Sequence, residues 1–275
     1  MTMPSDVALP ASSLPAKKGF WYGMRQQARI ITALLVRETA TRFGKRSGGF
    51  VWAFIEPAGY IAFFLVLHGV VRQQVPYGEN AMVFFVAGLL CFRLYTSMAG
   101  KMMPALSSNQ TLLSYPMVRP LDPIIARALL EAVVMLVIAG IVIAFLSFYL
   151  QRTVLLNQKM FLFGVGVTVY LGFAMGTFNA VFSTLVPAWS SVMSMLAMPL
   201  LLMSGILYVP AAMPPEVLAV ITWNPILHCV EIMRAGFYVD YLTVAEPAYP
   251  IAFATLVLTA ALSIERLYRN RILHQ

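Results

Sequence analysis

Charge is scarce in this chain. Asp, Glu, Lys and Arg make up only 11% of its 275 residues, against about 25% in soluble domains, which excludes an ordinary water-soluble globule. Cysteine and histidine are scarcer still. Cys91 and Cys229 have no partner at metal-ligand spacing, so they read as small buried apolar residues rather than a disulfide framework. His68, His228 and His274 are scattered, and neither HExxH nor G-x-S-x-G occurs. Together these absences leave no clustered catalytic carboxylates, no metal set and no nucleophile elbow. A nucleotide loop is missing too. In "RFGKRS" Arg46 follows Lys45 where Ser or Thr is required, and Thr39 stands where the first glycine of G-x-x-x-x-G-K-[ST] belongs.

What is present is apolar surface: 60% of the residues are hydrophobic and the mean hydropathy is +0.79, the composition of a polytopic all-α membrane protein. Six stretches approach the roughly 20 residues needed to span a bilayer: about 50–71, 82–100, 124–150, 160–187, 190–209 and 249–265. An even number puts both termini on one side. Basic residues orient them, because Lys17, Lys18, Arg25, Arg29, Arg37, Arg42, Lys45, Arg46, Lys101, Arg119, Arg127, Arg266, Arg269 and Arg271 then fall on the terminal side. Only Arg72, Arg152, Lys159 and Arg234 fall opposite. The positive-inside rule places the termini in the cytoplasm. The formal charge of +8 follows the span ends, which suits a membrane surface and not nucleic acid.

The sequence divides into a tail over 1–19, rich in Pro, Ser and Ala and without a signal-peptide core, an amphipathic interface helix over 20–46, and a transmembrane domain over 47–275. In the interface helix Trp21, Met24, Ala28, Ile31 and Leu35 recur at helical spacing while Arg25, Arg29 and Arg37 lie off that stripe. Before the last span, Pro210, Pro214, Pro215 and Pro225 bracket an apolar run too short to cross. The segment "ILHCVEIMRAGFY" follows, with Ile226, Val230, Met233 and Phe237 on one face and His228, Glu231 and Arg234 on another. The expectation is a re-entrant outer hairpin built from Pro214, Pro215, Trp223, Asn224, Pro225, Glu231 and Arg234, its second arm lying in the interface.

Ionisable residues inside spans demand protein, water or a counter-charge. Glu56, Arg93 and Glu131 are such residues, and each reads either as lining for a polar path or as a helix-to-helix ion pair. Pro57 after Glu56 favours a kink near the inner end of the first span. The inner loop "NQTLLSYPMVRPLDPIIAR", stiffened by Pro116, Pro120 and Pro123, reads either as a passive connector or as a rigid element that passes a push to the spans.

The stretches "VRETATRFGKRSGGFVWAFIEP", "RPLDPIIARALLE" and "WNPILHCVEIMRAGF" resemble the membrane subunit of ABC-2 type polysaccharide exporters, most closely the KpsM-type permeases of capsule export. The resemblance runs from about residue 30 to the C-terminus. It implies a non-catalytic permease that binds no cofactor, forms a homodimer in the bacterial inner membrane, and is driven by a dimer of a separate ATP-binding cassette subunit carrying ATP and Mg. Further partners would be a periplasmic polysaccharide co-polymerase or adaptor and an outer-membrane export protein. The substrate would be a lipid-linked, usually acidic polysaccharide. The loop residues Asn109, Gln110, Leu113, Ser114, Tyr115, Pro116 and Arg119 would couple to the ATPase. The chain would then thread past Arg42, Arg46, Trp52, Glu56, Tyr60 and Arg93, since aromatic faces suit sugar rings and guanidinium suits carboxylate or phosphate. Export of another surface glycan such as O-antigen or teichoic acid, or an ion-coupled secondary carrier using Glu56 and Glu131, are the competing readings. The carrier lacks the second broken region that inverted repeats require.

Overall fold

The computed structural model describes residues 20–43, 77–115 and 117–273, with Ile55, Gly59, Ala62 and Val66 between them. Among these residues all regular structure is helical: α1 (Phe20–Phe43), α2 (Ala81–Lys101), α3 (Gln110–Leu113), α4 (Leu121–Tyr149), α5 (Gln158–Leu185), α6 (Trp189–Met203), α7 (Pro215–Ile221), α8 (Pro225–Arg234) and α9 (Ala248–Leu273). Apart from those four residues the expected first span over 50–71, with Trp52, Glu56 and Tyr60, lies outside the described residues, as do Arg46 and the 1–19 tail.

The sequence marks where the helices start. Asn80 accepts from Met82 N at 2.8 Å to cap α2, and Asn157 accepts from Met160 N at 3.1 Å to cap α5, each satisfying a donor that the first turn leaves free. Asp122 sits in the first turn of α4, where its charge faces the positive end of the helix dipole. Pro225 opens α8 at a position where a missing N–H costs nothing, with Asn224 accepting from Ile226 N at 3.1 Å.

Helices α2, α4, α5 and α9 are long and apolar enough to cross a membrane. The pair α7 and α8, bent by 104° at the break between them, passes the same test as one broken unit. The expected fifth span over 190–209 is shorter as a helix. α6 has 15 residues with Pro199 inside, about 22 Å at 1.5 Å per residue. It stops because Gly205 turns the chain at φ +68°, a conformation open to glycine.

The core is α5 packed on α2, α8 and α9. Small residues permit the close approach: a Cβ on Gly172 would stand 3.0 Å from Met98 Cβ of α2, and one on Gly164 3.0 Å from the Met233 backbone of α8. Such stripes let helix backbones touch where lipid offers no hydrophobic drive. The opposite face of α4, with Leu129, Val133, Leu136, Val137, Ile141 and Phe145, is exposed, as a lipid-facing surface would be.

One expectation is overturned. The segment 226–234 is no interfacial helix with a wet polar face, because every one of its residues is buried. Arg234 and Glu231 are both fully buried and 3.3 Å apart. The arginine lies 3.6 Å over the Phe84 ring and donates to Ile206 O at 2.8 Å. Tyr241, whose hydroxyl burial pushes above its usual range, donates to Glu231 at 2.6 Å. These partners make a buried charge pair tolerable, and periodicity cannot reveal them.

Candidate functional site

A cluster of polar residues lies at one end of the bundle, where α1, the 102–120 loop and the N-terminal half of α4 meet. α1 runs along α4. Its packed edge is Gln27, Ile30, Leu34 and Glu38, at spacings of three and four, while Trp21, Met24 and Val36 remain exposed. Three polar ties join it to its neighbours. Gln27 donates to Asp122 Oδ1 at the start of α4. Arg37 donates to Asn109 Oδ1 in the loop. Glu38 pairs with Arg127 of α4 at 2.5 Å, with side chains only 18% and 11% exposed.

Arg127 is the junction. Beyond Glu38 it donates to Ser108 Oγ at 3.0 Å and to Lys101 O at 3.4 Å, so one guanidinium, whose donors form a rigid fork, touches α1, the loop and the end of α2. A second junction lies one turn deeper. Glu131 is wholly buried, 3.1 Å from Lys101 Nζ, and also accepts from Ser97 of α2. Of the two readings of Glu131, the helix-to-helix ion pair is the one present. On the α5 side Asn179 donates to Ala99 O at 3.1 Å and accepts from Trp189 Nε1 at 3.0 Å, while Ser183 donates to Met103 O at 3.2 Å. The loop is thereby bonded to α1, α4 and α5 and continuous with α2.

Within the loop, Asn109 is buried and holds Ala105 O at 2.8 Å in addition to Arg37, and Leu113 is buried beneath it. Gln110, Ser114 and Arg119 face outward. Tyr115 and Met117 are 60% and 58% exposed, an apolar tip on an otherwise polar end. Pro116 lies outside the described residues. Arg93 lies half-buried on α2, and Arg42 is in α1 with its side chain outside the described residues. In the hairpin Pro214, Pro215 and Trp223 are exposed, Pro225 is half-buried, and Asn224, Glu231 and Arg234 are buried. Asn224 donates to Ser204 Oγ at 3.1 Å, fastening the hairpin to the end of α6. The pattern reading missed Gln27, Glu38, Ser97, Lys101 and Arg127 as partners. Their only signal is a polar residue on a helix face that otherwise packs.

The ABC-2 type transporter family model matches residues 29–238. The polysialic acid transport protein KpsM of Escherichia coli is 28% identical over 249 residues, covering 90% of this chain and 96% of its own. The capsule polysaccharide export inner-membrane protein CtrC of Neisseria meningitidis serogroup B is 30% identical over 256 residues, 88% of this chain and 91% of its own. The inner-membrane protein BexB of Haemophilus influenzae is 26% identical over 226 residues, 80% and 83% respectively. With helices of spanning length and a family match over most of its residues, the chain belongs to the ABC-2 type transporter membrane family.

Proposed function

We propose that this chain is the membrane subunit of an ATP-driven exporter that carries a lipid-linked, acidic capsular polysaccharide from the cytoplasm across the inner membrane. The observation that carries the mechanism is the loop 102–120: an exposed Tyr115 and Met117 tip on a base bonded to three helices. A separate ATPase subunit docks on that tip, since the sequence encodes no nucleotide loop of its own. Closure of the ATPase dimer pushes the loop. The ties through Asn109, Arg127 and Ser183 move α1, α4 and α5 together, and the path between two copies of the chain opens.

In this reading the first span and α6 complete six crossings, both termini are cytoplasmic, and α7 with α8 forms a re-entrant hairpin on the outer side. Arg42, Arg46 and Arg93 draw the anionic polymer inward, with Trp52, Glu56 and Tyr60 at the inner mouth. A periplasmic adaptor and an outer-membrane export protein receive it. The relatives' capsule export and the basic bias of the inner face support the acidic substrate.

The test is complementation. The gene for this chain, placed with its ATPase partner in a host lacking its own capsule-export permease, restores surface polymer. An ATPase subunit copurifies with the chain and is lost in Tyr115→Ala, whose membrane level is unchanged. Transport that continues without ATP or without that subunit refutes the reading.

A further inference from the structure

Helix α1 has a second face that the bundle leaves uncovered. Its packed edge toward α4 is Gln27, Ile30, Leu34 and Glu38, and Leu34, 8% exposed, marks the centre of that edge. At about 100° per residue Arg25 stands opposite Leu34, and Trp21, Thr32, Val36 and Arg29 fall within about 40° of Arg25. All five are exposed, Trp21 at 74% and Val36 at 60%. The apolar stripe expected from spacing is therefore divided: Ile31 and Leu35 are half-buried, while Trp21, Met24 and Ala28 are exposed. Along the uncovered side Ala28, Arg29, Thr32, Ala33 and Val36 line a shallow groove of about 570 Å³.

The charge of this face has one sign. Residues 17–37 hold Lys17, Lys18, Arg25, Arg29 and Arg37 and no acid. The next residue, Glu38, is engaged by Arg127, and Arg37 is engaged by Asn109. Among the described residues neither Arg25 nor Arg29 enters an ion pair. The position matters as well. Leu129, the first of the exposed apolar residues of α4, follows two positions after Arg127, so α1 meets α4 where the lipid-facing surface begins.

Two exposed guanidinium groups set among Trp21, Val36 and small side chains call for a surface that is anionic outside and apolar just beneath. A bilayer leaflet with acidic headgroups has both. Tryptophan sits at headgroup level, arginine lays its methylenes on apolar surface while its head reaches phosphate, and clustered basic residues on an amphipathic helix select anionic lipid. An acidic protein surface would match the arginines and leave the exposed Trp21 and Val36 against polar groups.

We propose that the outward face of α1 is a docking site for anionic lipid headgroups, held by Arg25 and Arg29, with Trp21 and Val36 seated at the acyl boundary. Lipid then fixes one side of the helix while Gln27, Arg37 and Glu38 tie the other to α4 and the loop. The site is independent of what the chain exports.

The test places the full chain, with any ATPase subunit that copurifies, in nanodiscs of phosphatidylcholine and phosphatidylglycerol in equal parts. Thr32→Cys carries a fluorophore on the uncovered face; the native hydroxyl bonds to Ala28 O of its own helix, and Cys91 and Cys229 are buried. Phosphatidylglycerol or phosphatidylcholine bearing the same acyl-chain nitroxide is added in trace amount as quencher. Since a basic residue near the surface strengthens anionic-lipid binding about fivefold, the phosphatidylglycerol probe quenches at least about fivefold more than the phosphatidylcholine probe. Arg25→Gln with Arg29→Gln brings the two probes level while the complex still elutes as a single species. Equal quenching in the chain with both arginines, or a preference that survives both substitutions, overturns the proposal. Quenching by neither probe overturns it as well: protein then covers the face, the ATPase subunit if its removal restores quenching and another copy of the chain if not.

Discussion

Reversing the Glu38–Arg127 pair tests whether α1 moves with α4. Exposed ion pairs contribute about 0.2–1 kcal/mol, and removing one member of a fully buried pair costs about 3–5 kcal/mol. At 18% and 11% side-chain exposure and 2.5 Å separation, this pair lies between those limits. Glu38→Arg therefore costs about 2 kcal/mol, by placing two cations together at the α1–α4 contact. Arg127→Glu costs more, because it also loses the bonds to Ser108 and to Lys101 O. It further brings a carboxylate within one turn of Glu131. The double exchange Glu38→Arg, Arg127→Glu restores the attraction but not the loop bonds, so it exports better than Arg127→Glu alone and stays below the unsubstituted chain. The assay is ATPase activity of the reconstituted complex alongside surface polymer in cells, each normalised to membrane level. Export falls severalfold in each single variant while the ATPase keeps turning over, which is the signature of uncoupling. A double variant no better than Arg127→Glu alone, or single variants that export normally, refutes the idea that this contact passes motion to α1.

Other outcomes follow from the same geometry. Arg234→Met strands the buried Glu231 carboxylate and lowers thermal stability in detergent by about 3–5 kcal/mol; adding Glu231→Gln recovers most of that loss in the same melting experiment. Gly172→Val pushes a branched side chain onto Met98, 3.0 Å from the first added carbon, and overpacking of this kind costs about 1–3 kcal/mol, read as a lower melting temperature and a lower membrane level. Asn80→Ala removes the α2 cap at about 1 kcal/mol, measured by the same melts with export otherwise intact. Asn109→Leu leaves the Arg37 guanidinium without its loop acceptor and reduces export more than it reduces membrane level.

Much of this protein is legible without coordinates, for a plain physical reason. An α-helical chain crosses a bilayer in long apolar helices that satisfy their own backbone, so span positions follow from runs of apolar residues. α2, α4, α5 and α9 fall close to their expected places. Asn80 and Asn157 cap α2 and α5 by acting on neighbouring backbone, a local signal that the reading of apolar runs did not use. The family resemblance was carried by local stretches as well. Interactions between distant residues were not legible. Arg127, 89 positions from Glu38 in the chain, looks like any basic residue at a span end until α1 lies beside α4. Glu231 and Arg234 look like a wet helix face, because a periodic pattern records where polar residues point on their own helix and nothing about what lies opposite. Only the packing of α8 against α2 and α5, with Phe84 and Ile206 O waiting for the guanidinium, turns that face into a core. The sequence by itself determined that the chain lives in a membrane, roughly where it crosses, and that it encodes no nucleotide loop. The tertiary structure decided which charges meet, how the loop grips its helices, and which face of α1 stays uncovered, since each depends on contacts that close only when separate helices are brought side by side.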